Sequence, residues 1–206
     1  MVMEVTQQQI ETIVHQVIAG LSTGGSGVVI GGKTYLGVFE DMNEAIEAAH
    51  QAQLILRDMS FEKREKILDS IRALITEEAP VLAKLGVEET GMGRVQDKTL
   101  KHLYVAKKTP GTEDLKTEAI SGDNGLTLLE HAPYGVIGAL TPSTNPSETI
   151  LCNSIGMIAG GNTVVFNAHP GAIKTSLYAV DLINRAAKAA GGPLNMAVAV
   201  AKPTME

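Results

Sequence analysis

The feature that most restricts the fold of this chain is a regular alternation, over residues 135–206, of short apolar segments with longer amphipathic ones. The short segments are bounded by turn residues, as buried parallel strands are; they lie at residues 135–140, 163–166 and 196–200. The longer segments have helical periodicity and end at glycine pairs; they lie at residues 146–159 and 172–190. This βαβαβ order predicts an α/β fold that begins a doubly wound parallel sheet of the Rossmann type, whose ligands bind beyond the carboxyl ends of the strands.

The residues before this pattern predict a scaffold of helices. Helical periodicity covers three stretches, at residues 42–57, 62–78 and about 82–89. Pro80 ends the second helix or begins the third, which stops near Gly91 and Gly93. We therefore expect residues 35–120 to be mainly helical. Residues 121–134 place leucines between turn-forming residues and predict a strand or a hairpin arm.

Residues 1–21 predict an amphipathic helix that stands apart from this fold. Its apolar residues recur at steps of three and four, which is typical of one helical face; they are Ile10, Ile13, Val14, Val17, Ile18 and Leu21. Residues 22–34 begin with a glycine- and serine-rich run and predict a flexible linker. A helix of this length is marginal alone in water, so its apolar stripe needs a partner on its own domain, on another chain or on a shell surface.

Composition and charge exclude several classes of function. The chain has 17 Lys and Arg against 23 Asp and Glu, a net charge of -6 without a dense basic run, so we expect no nucleic-acid partner. Residues 149–173 lack formal charge, but asparagines and glycines interrupt them, so we expect no membrane span. The single cysteine, Cys152, excludes an internal disulfide and a cysteine-rich metal site. A reducing cytosol suits such a chain, and the first residues lack a signal-peptide layout, so we expect a cytoplasmic protein.

Neither GxGxxG nor a P-loop motif follows the first predicted strand, but three other motifs lie around it. PYGVIG at residues 133–138, TPSTNP at 141–146 and AGGNTVV at 159–165 together resemble the aldehyde dehydrogenase superfamily. Within it, TPSTNP, NAHP at residues 167–170 and EETGMGRV at 88–95, with Asp97 and Lys98 after it, resemble the CoA-acylating branch of bacterial microcompartments for ethanolamine or propanediol breakdown.

That resemblance implies an aldehyde dehydrogenase-like fold and an oxidoreductase that converts a short-chain aldehyde, CoA and NAD to acyl-CoA and NADH. It also implies a homo-oligomer in a microcompartment lumen, with the stripe of residues 1–21 bound to a shell protein. The catalytic cysteine of the family has no counterpart in these residues, so we expect the chain to be an amino-terminal portion that is inactive alone. The alternatives are a non-catalytic targeting or interaction module, a hydrolytic aldehyde dehydrogenase, and a nucleotide-binding domain of unrelated chemistry.

Asn145 is the candidate catalytic residue. The resemblance places the oxyanion-hole asparagine of the family here, and a fixed amide donor beside the aldehyde oxygen lowers the barrier to thiolate attack. The alternative is a helix N-cap before Pro146, with Glu148 closing a capping box. The two roles are compatible, because a capping carbonyl oxygen would leave the NH2 group pointing outward.

The resemblance also implies a cofactor site at the carboxyl ends of the first two strands, without any metal. Residues 141–145 would line the nicotinamide side, and His169 stands where the wider superfamily carries a lysine that holds the adenosine ribose. A neutral imidazole offers less charge to a 2′-phosphate, which favours NAD over NADP. The alternative for His169 is an exposed loop histidine before a proline turn. The cofactor-binding set is Thr141, Pro142, Ser143, Thr144, Asn145, His169, Pro170 and Gly171.

Two further features look chemical but favour plain structural roles. Cys152 follows Asn145 by about two helical turns, roughly 10 Å, so it is too distant to act as the nucleophile and is expected to be a buried helix residue. A basic cluster could bind CoA phosphates, but a solvated helical face is the better interpretation; its members are Lys98, Lys101, His102, Lys107 and Lys108.

Overall fold

The computed structural model describes residues 27–30 and 32–204, so the predicted helix at residues 1–21 lies outside the described residues. The helices are α1 Met42–Arg57, α2 Phe61–Thr90, α3 Val95–Lys108, α4 Pro146–Ala159 and α5 Ile173–Ala189, with 3-10 turns at Thr112–Asp114 and Pro170–Ala172. The strands are β1 Val28–Ile30, β2 Lys33–Tyr35, β3 Val38–Phe39, β4 Glu118–Gly122, β5 Gly125–Leu129, β6 Val136–Leu140, β7 Thr163–Asn167 and β8 Ala197–Val200.

A four-stranded parallel sheet in the order β3-β8-β7-β6 forms the centre of the fold. The predicted βαβαβ unit is present as β6-α4-β7-α5-β8, with each element within a residue or so of its predicted bounds. Helices α4 and α5 connect strands that step across the sheet in one direction, and they contact each other on one face. Helix α1 covers the opposite face, where Ala45 and Ala49 pack with Val165 and Val198.

Helices α2 and α3 place a second layer over α4 and α5. Helix α2 contacts α4 and α5 as well as α3, and α3 in turn reaches α4. The core between these layers and the sheet contains large side chains that are fully buried, including Ile71, Ile155, Phe166 and Leu182. This packing brings one face of α3 against the amino-terminal turn of α4, where the candidate catalytic residue lies.

The predicted break at Pro80 is wrong, because α2 is one continuous helix from Phe61 to Thr90 with Pro80 inside it. Proline removes one backbone hydrogen bond of the helix, but tertiary packing outweighs that loss here. Buried residues continue along one face of α2 through the proline; they are Ile71, Ile75, Ala79, Leu82 and Ala83. The helix ends where predicted, at Gly91, whose φ of 68° is readily available to glycine.

The predicted flexible linker at residues 22–34 is wrong over its second half. Strands β1 and β2 pair antiparallel there, because β-branched and aromatic residues favour strands. The pair is fixed to α5: Lys33 Nζ lies 4.2 Å from the ring centroid of Tyr178, and the Leu36 N–H donates to Asp181 Oδ1 at 2.9 Å. Residues 22–26 lie outside the described part of the chain.

The residues predicted as a strand or hairpin arm, 121–134, overlap a hairpin that begins earlier. Strands β4 and β5 pair antiparallel from Glu118 to Leu129, and both strands are exposed along their whole length.

Over residues 27–30 and 32–204, no helix is long and apolar enough to span a membrane.

Candidate active site

The two loops predicted to bind the cofactor meet at the carboxyl edge of the parallel sheet. Thr141 directly follows β6, and its N–H donates to the carbonyl oxygen of Asn167 at the end of β7, at 3.2 Å. Parallel neighbours end at the same edge, so residues 141–145 and 167–171 are adjacent, as the βαβ pattern predicts.

Asn145 stands at the N-cap position of α4, but its side chain makes no capping hydrogen bond. The predicted cap through its carbonyl oxygen is therefore wrong. That oxygen, Oδ1, instead accepts from Lys101 Nζ on α3 at 2.8 Å. An ammonium group can only donate, which assigns Oδ1 to the side of Lys101 and turns the NH2 group away from it. Among the described residues, that NH2 group donates to no protein atom.

Glu148 does not close a capping box; it forms a buried ion pair with Lys98 across the α3–α4 contact. Lys98 Nζ lies 3.1 Å from Glu148 Oε1, and each side chain is only 5% exposed. The same ammonium donates to the carbonyl oxygen of Thr144 at 3.0 Å. Lys98 therefore holds the backbone carbonyl before Asn145 and a side chain of the first turn after it.

His102 completes this network one turn further along α3. Its Nδ1 lies 2.7 Å from the carbonyl oxygen of Lys98, and its Nε2 lies 2.8 Å from Ser147 Oγ. A carbonyl only accepts, so the neutral ring carries its proton on Nδ1 and accepts from the Ser147 hydroxyl at Nε2. The same hydroxyl oxygen lies 3.3 Å from Glu148 Oε2, but its single proton serves the shorter contact to His102. Burial is the main cause that lowers the pKa of His102 below its ordinary value, which favours this neutral form.

The predicted solvated face for the basic cluster is therefore wrong for two of its members. Lys98 and His102 are buried because their face of α3 packs on the first turn of α4. Lys101 is exposed but contacts Asn145, whereas Lys107 and Lys108 are exposed as predicted.

At the second loop, His169 caps the 3-10 turn at Pro170–Ala172. Its Nδ1 accepts from the Gly171 N–H at 3.0 Å, which places the proton of a neutral ring on Nε2. Two backbone N–H groups in the first turn of α5 already have a carboxylate partner, since Glu89 accepts from the N–H groups of Lys174 and Thr175 at 2.7 Å each. Glu89, the second glutamate of the EETG motif, thus connects α2 to α5.

Two buried oxygens at this edge have no hydrogen-bond partner within the described residues: Thr141 Oγ1 and Asn167 Oδ1. Thr141 is 6% exposed, so its orphaned hydroxyl carries a desolvation cost that a polar ligand would relieve. These two oxygens and the ring of His169 are polar groups that the predicted site offers to a cofactor.

Cys152 lies on α4, as predicted, but it is half-buried rather than buried. No group of three or more metal-ligating side chains is found in the part of the chain that the structure describes.

With this geometry established, comparison with known proteins identifies the family. The sequence profile of the Aldehyde dehydrogenase family matches residues 27–203. The chain belongs to the aldehyde dehydrogenase family. The motif resemblance and the aldehyde dehydrogenase-like fold predicted from it are confirmed.

Several similar proteins are CoA-acylating aldehyde dehydrogenases. The acetylating acetaldehyde dehydrogenase of Salmonella typhimurium is 44% identical over 200 residues, covering 97% of this chain and 42% of that protein. A propionaldehyde dehydrogenase from the fucose utilisation microcompartment of Clostridium phytofermentans is 65% identical, with a TM-score of 0.81 over 82% of this chain and 39% of that one. The propionaldehyde dehydrogenase of Rhodopseudomonas palustris, solved with bound propionyl-CoA, is 50% identical, with a TM-score of 0.80 over 82% of this chain and 38% of that one.

The chain spans 42 to 43% of the length of the curated acetaldehyde dehydrogenases that it matches.

Proposed function

We propose that the intact protein containing this chain oxidises a short-chain aldehyde to its acyl-CoA and reduces NAD. The observation that carries the proposal is the amide of Asn145: its oxygen is held by Lys101, and among the described residues its NH2 group has no protein partner at the carboxyl edge of the sheet. The CoA-acylating relatives of similar sequence support the reaction class.

In this reaction a thiolate attacks the aldehyde carbon, and negative charge develops on the former carbonyl oxygen. An amide donor that is already oriented toward that oxygen stabilises the charge without reorganising during the step. Asn145 supplies such a donor without titrating. Cys152 is not the thiolate, because about two helical turns, roughly 10 Å of rise, separate it from Asn145.

The proposed cofactor is NAD, which when bound accepts the hydride from the aldehyde carbon. Thr141, Pro142, Ser143, Thr144 and Asn145 would line its nicotinamide side, and His169, Pro170 and Gly171 its adenosine side. The Nε2–H of a neutral His169 can donate to a ribose hydroxyl but carries no fixed charge for a 2′-phosphate, so NAD is preferred to NADP.

The proposed location is the lumen of a bacterial microcompartment, with the intact enzyme as a homo-oligomer. The microcompartment origin of the Clostridium phytofermentans relative supports this location. The shell contact would use the apolar stripe of residues 1–21, and a carboxylate placed in that stripe would oppose burial. Ile13→Glu should therefore abolish co-sedimentation with shells without changing turnover, and retained co-sedimentation would contradict targeting by this segment.

The reaction is tested by supplying the purified intact protein with acetaldehyde or propionaldehyde, CoA and NAD. We expect NADH and the acyl thioester to form in equal amounts, and both to require CoA. Carboxylate formed at the same rate without CoA would instead indicate a hydrolytic enzyme. No NADH with either aldehyde would contradict the proposal.

A further inference from the structure

Buried residues of helix α3 make three polar contacts with the segment that carries Asn145. Lys98 holds the carbonyl oxygen of Thr144 before it and the carboxylate of Glu148 after it. His102 holds the hydroxyl of Ser147. Buried groups of α3 thus hold the backbone carbonyl before Asn145 and two side chains after it, which leaves the side-chain rotation of Asn145 to be fixed by other contacts.

Lys101 restricts this side-chain rotation of Asn145. It lies one turn from Lys98 on α3, and its Nζ donates to Asn145 Oδ1 at 2.8 Å. A charge-assisted bond to the oxygen fixes which end of the amide points away from α3. It also draws electron density from the amide nitrogen, which makes the NH2 hydrogens better donors.

We propose that Lys101 is a positioning residue that orients and polarises the amide of Asn145 for oxyanion stabilisation. This inference rests on the proposed function, because it assigns to Lys101 an effect that passes only through Asn145. Lys101 is exposed, so its bond is weaker than a buried one, and we expect a smaller loss than that from removal of the amide itself.

The first test compares Lys101→Met, Lys101→Arg and Lys107→Met in the intact protein, with turnover measured under saturating aldehyde, CoA and NAD. Lys101→Met keeps the aliphatic stem but removes the donor, and we expect kcat to fall about threefold to tenfold with KM for NAD and CoA unchanged. Lys101→Arg should restore kcat to within about twofold, since a guanidinium also donates to Oδ1. Lys107→Met, an exposed lysine on the same helix, is the matched control and should leave kcat unchanged.

The second test repeats Lys101→Met in an Asn145→Ala background, where we expect no further fall in kcat. An equal additional fall there would show that Lys101 acts elsewhere and would overturn the inference. A raised KM for CoA with kcat unchanged would overturn it too, by making Lys101 a CoA contact.

The inference and the proposed function fail in different ways. If Asn145→Ala lowers kcat strongly and Lys101→Met does not, the positioning role is wrong and the proposed role of Asn145 stands. If Asn145→Ala itself leaves kcat unchanged, the oxyanion role fails and the positioning role fails with it.

Discussion

Replacement of Lys98 by methionine probes the buried network that supports the active-site loop. Lys98 and Glu148 form an ion pair at 3.1 Å with both side chains 5% exposed, so Lys98→Met leaves an uncompensated carboxylate in the contact between α3 and α4. Breaking a buried pair in this way costs about 3–5 kcal/mol of unfolding free energy. Loss of the bond to the Thr144 carbonyl adds to this cost.

The assay is urea unfolding of the intact protein followed by far-UV circular dichroism. Arg94→Met is the matched control, because the Arg94–Asp97 pair lies at the amino terminus of the same helix with side chains 84% and 53% exposed, and we expect it to cost about 1 kcal/mol or less. Replacing both buried partners, as in Lys98→Met with Glu148→Leu, should recover much of the loss.

Equal losses for Lys98→Met and Arg94→Met would refute the buried pair.

Three further predictions concern stability of the same protein. Burial lowers the pKa of His102 in the folded state, so the unfolded chain binds the proton at a higher pH than the folded chain does. The unfolding free energy should therefore fall as the pH drops below about 6.5. His102→Gln should reduce this pH dependence in urea unfolding measured across that range. Gly37→Ala should cost about 2 kcal/mol in the same assay, because φ is 75° and an added Cβ would lie 2.6 Å from the Ala197 carbonyl oxygen. Phe166→Ala should cost about 3–5 kcal/mol, since the ring is fully buried between the sheet and α4, whereas truncation of the exposed Tyr104 should cost little.

The sheet could be predicted from the sequence because parallel strands buried on both faces are continuous apolar runs. The segments at β6, β7 and β8 are such runs, with glycine pairs that end the intervening helices. The predicted burial is confirmed for β7 and β8 but is wrong for β6, which lies at the edge of the sheet over the described residues and is partly exposed. The helix break at Pro80 is not found, because burial of one face of α2 on both sides of the proline outweighs the low helix propensity of proline. The pairing of β1 with β2 could not be predicted for a similar reason, since its anchor on Asp181 lies far away in the sequence.

The two loops of the site were predictable, but the network beneath Asn145 was not. A lysine and a histidine in a basic cluster are usually solvated, and only the packing of α3 on α4 shows that Lys98 and His102 are buried. The i, i+4 spacing of Lys98 and His102 places both side chains on one face of α3, but nothing in the sequence shows that this face is the buried one.

The most direct test of the central claim is the turnover of Asn145→Asp and Asn145→Ala in the intact protein. Asn145→Asp keeps an acceptor for Lys101 but removes the NH2 donor, so it should preserve stability and still lose catalysis. Loss of one oxyanion donor costs about 2.7–4 kcal/mol of barrier, which predicts a fall in kcat of roughly two to three orders of magnitude in both variants, with NAD affinity little changed. A kcat within about threefold of the unmodified protein in both variants would contradict the oxyanion role of Asn145.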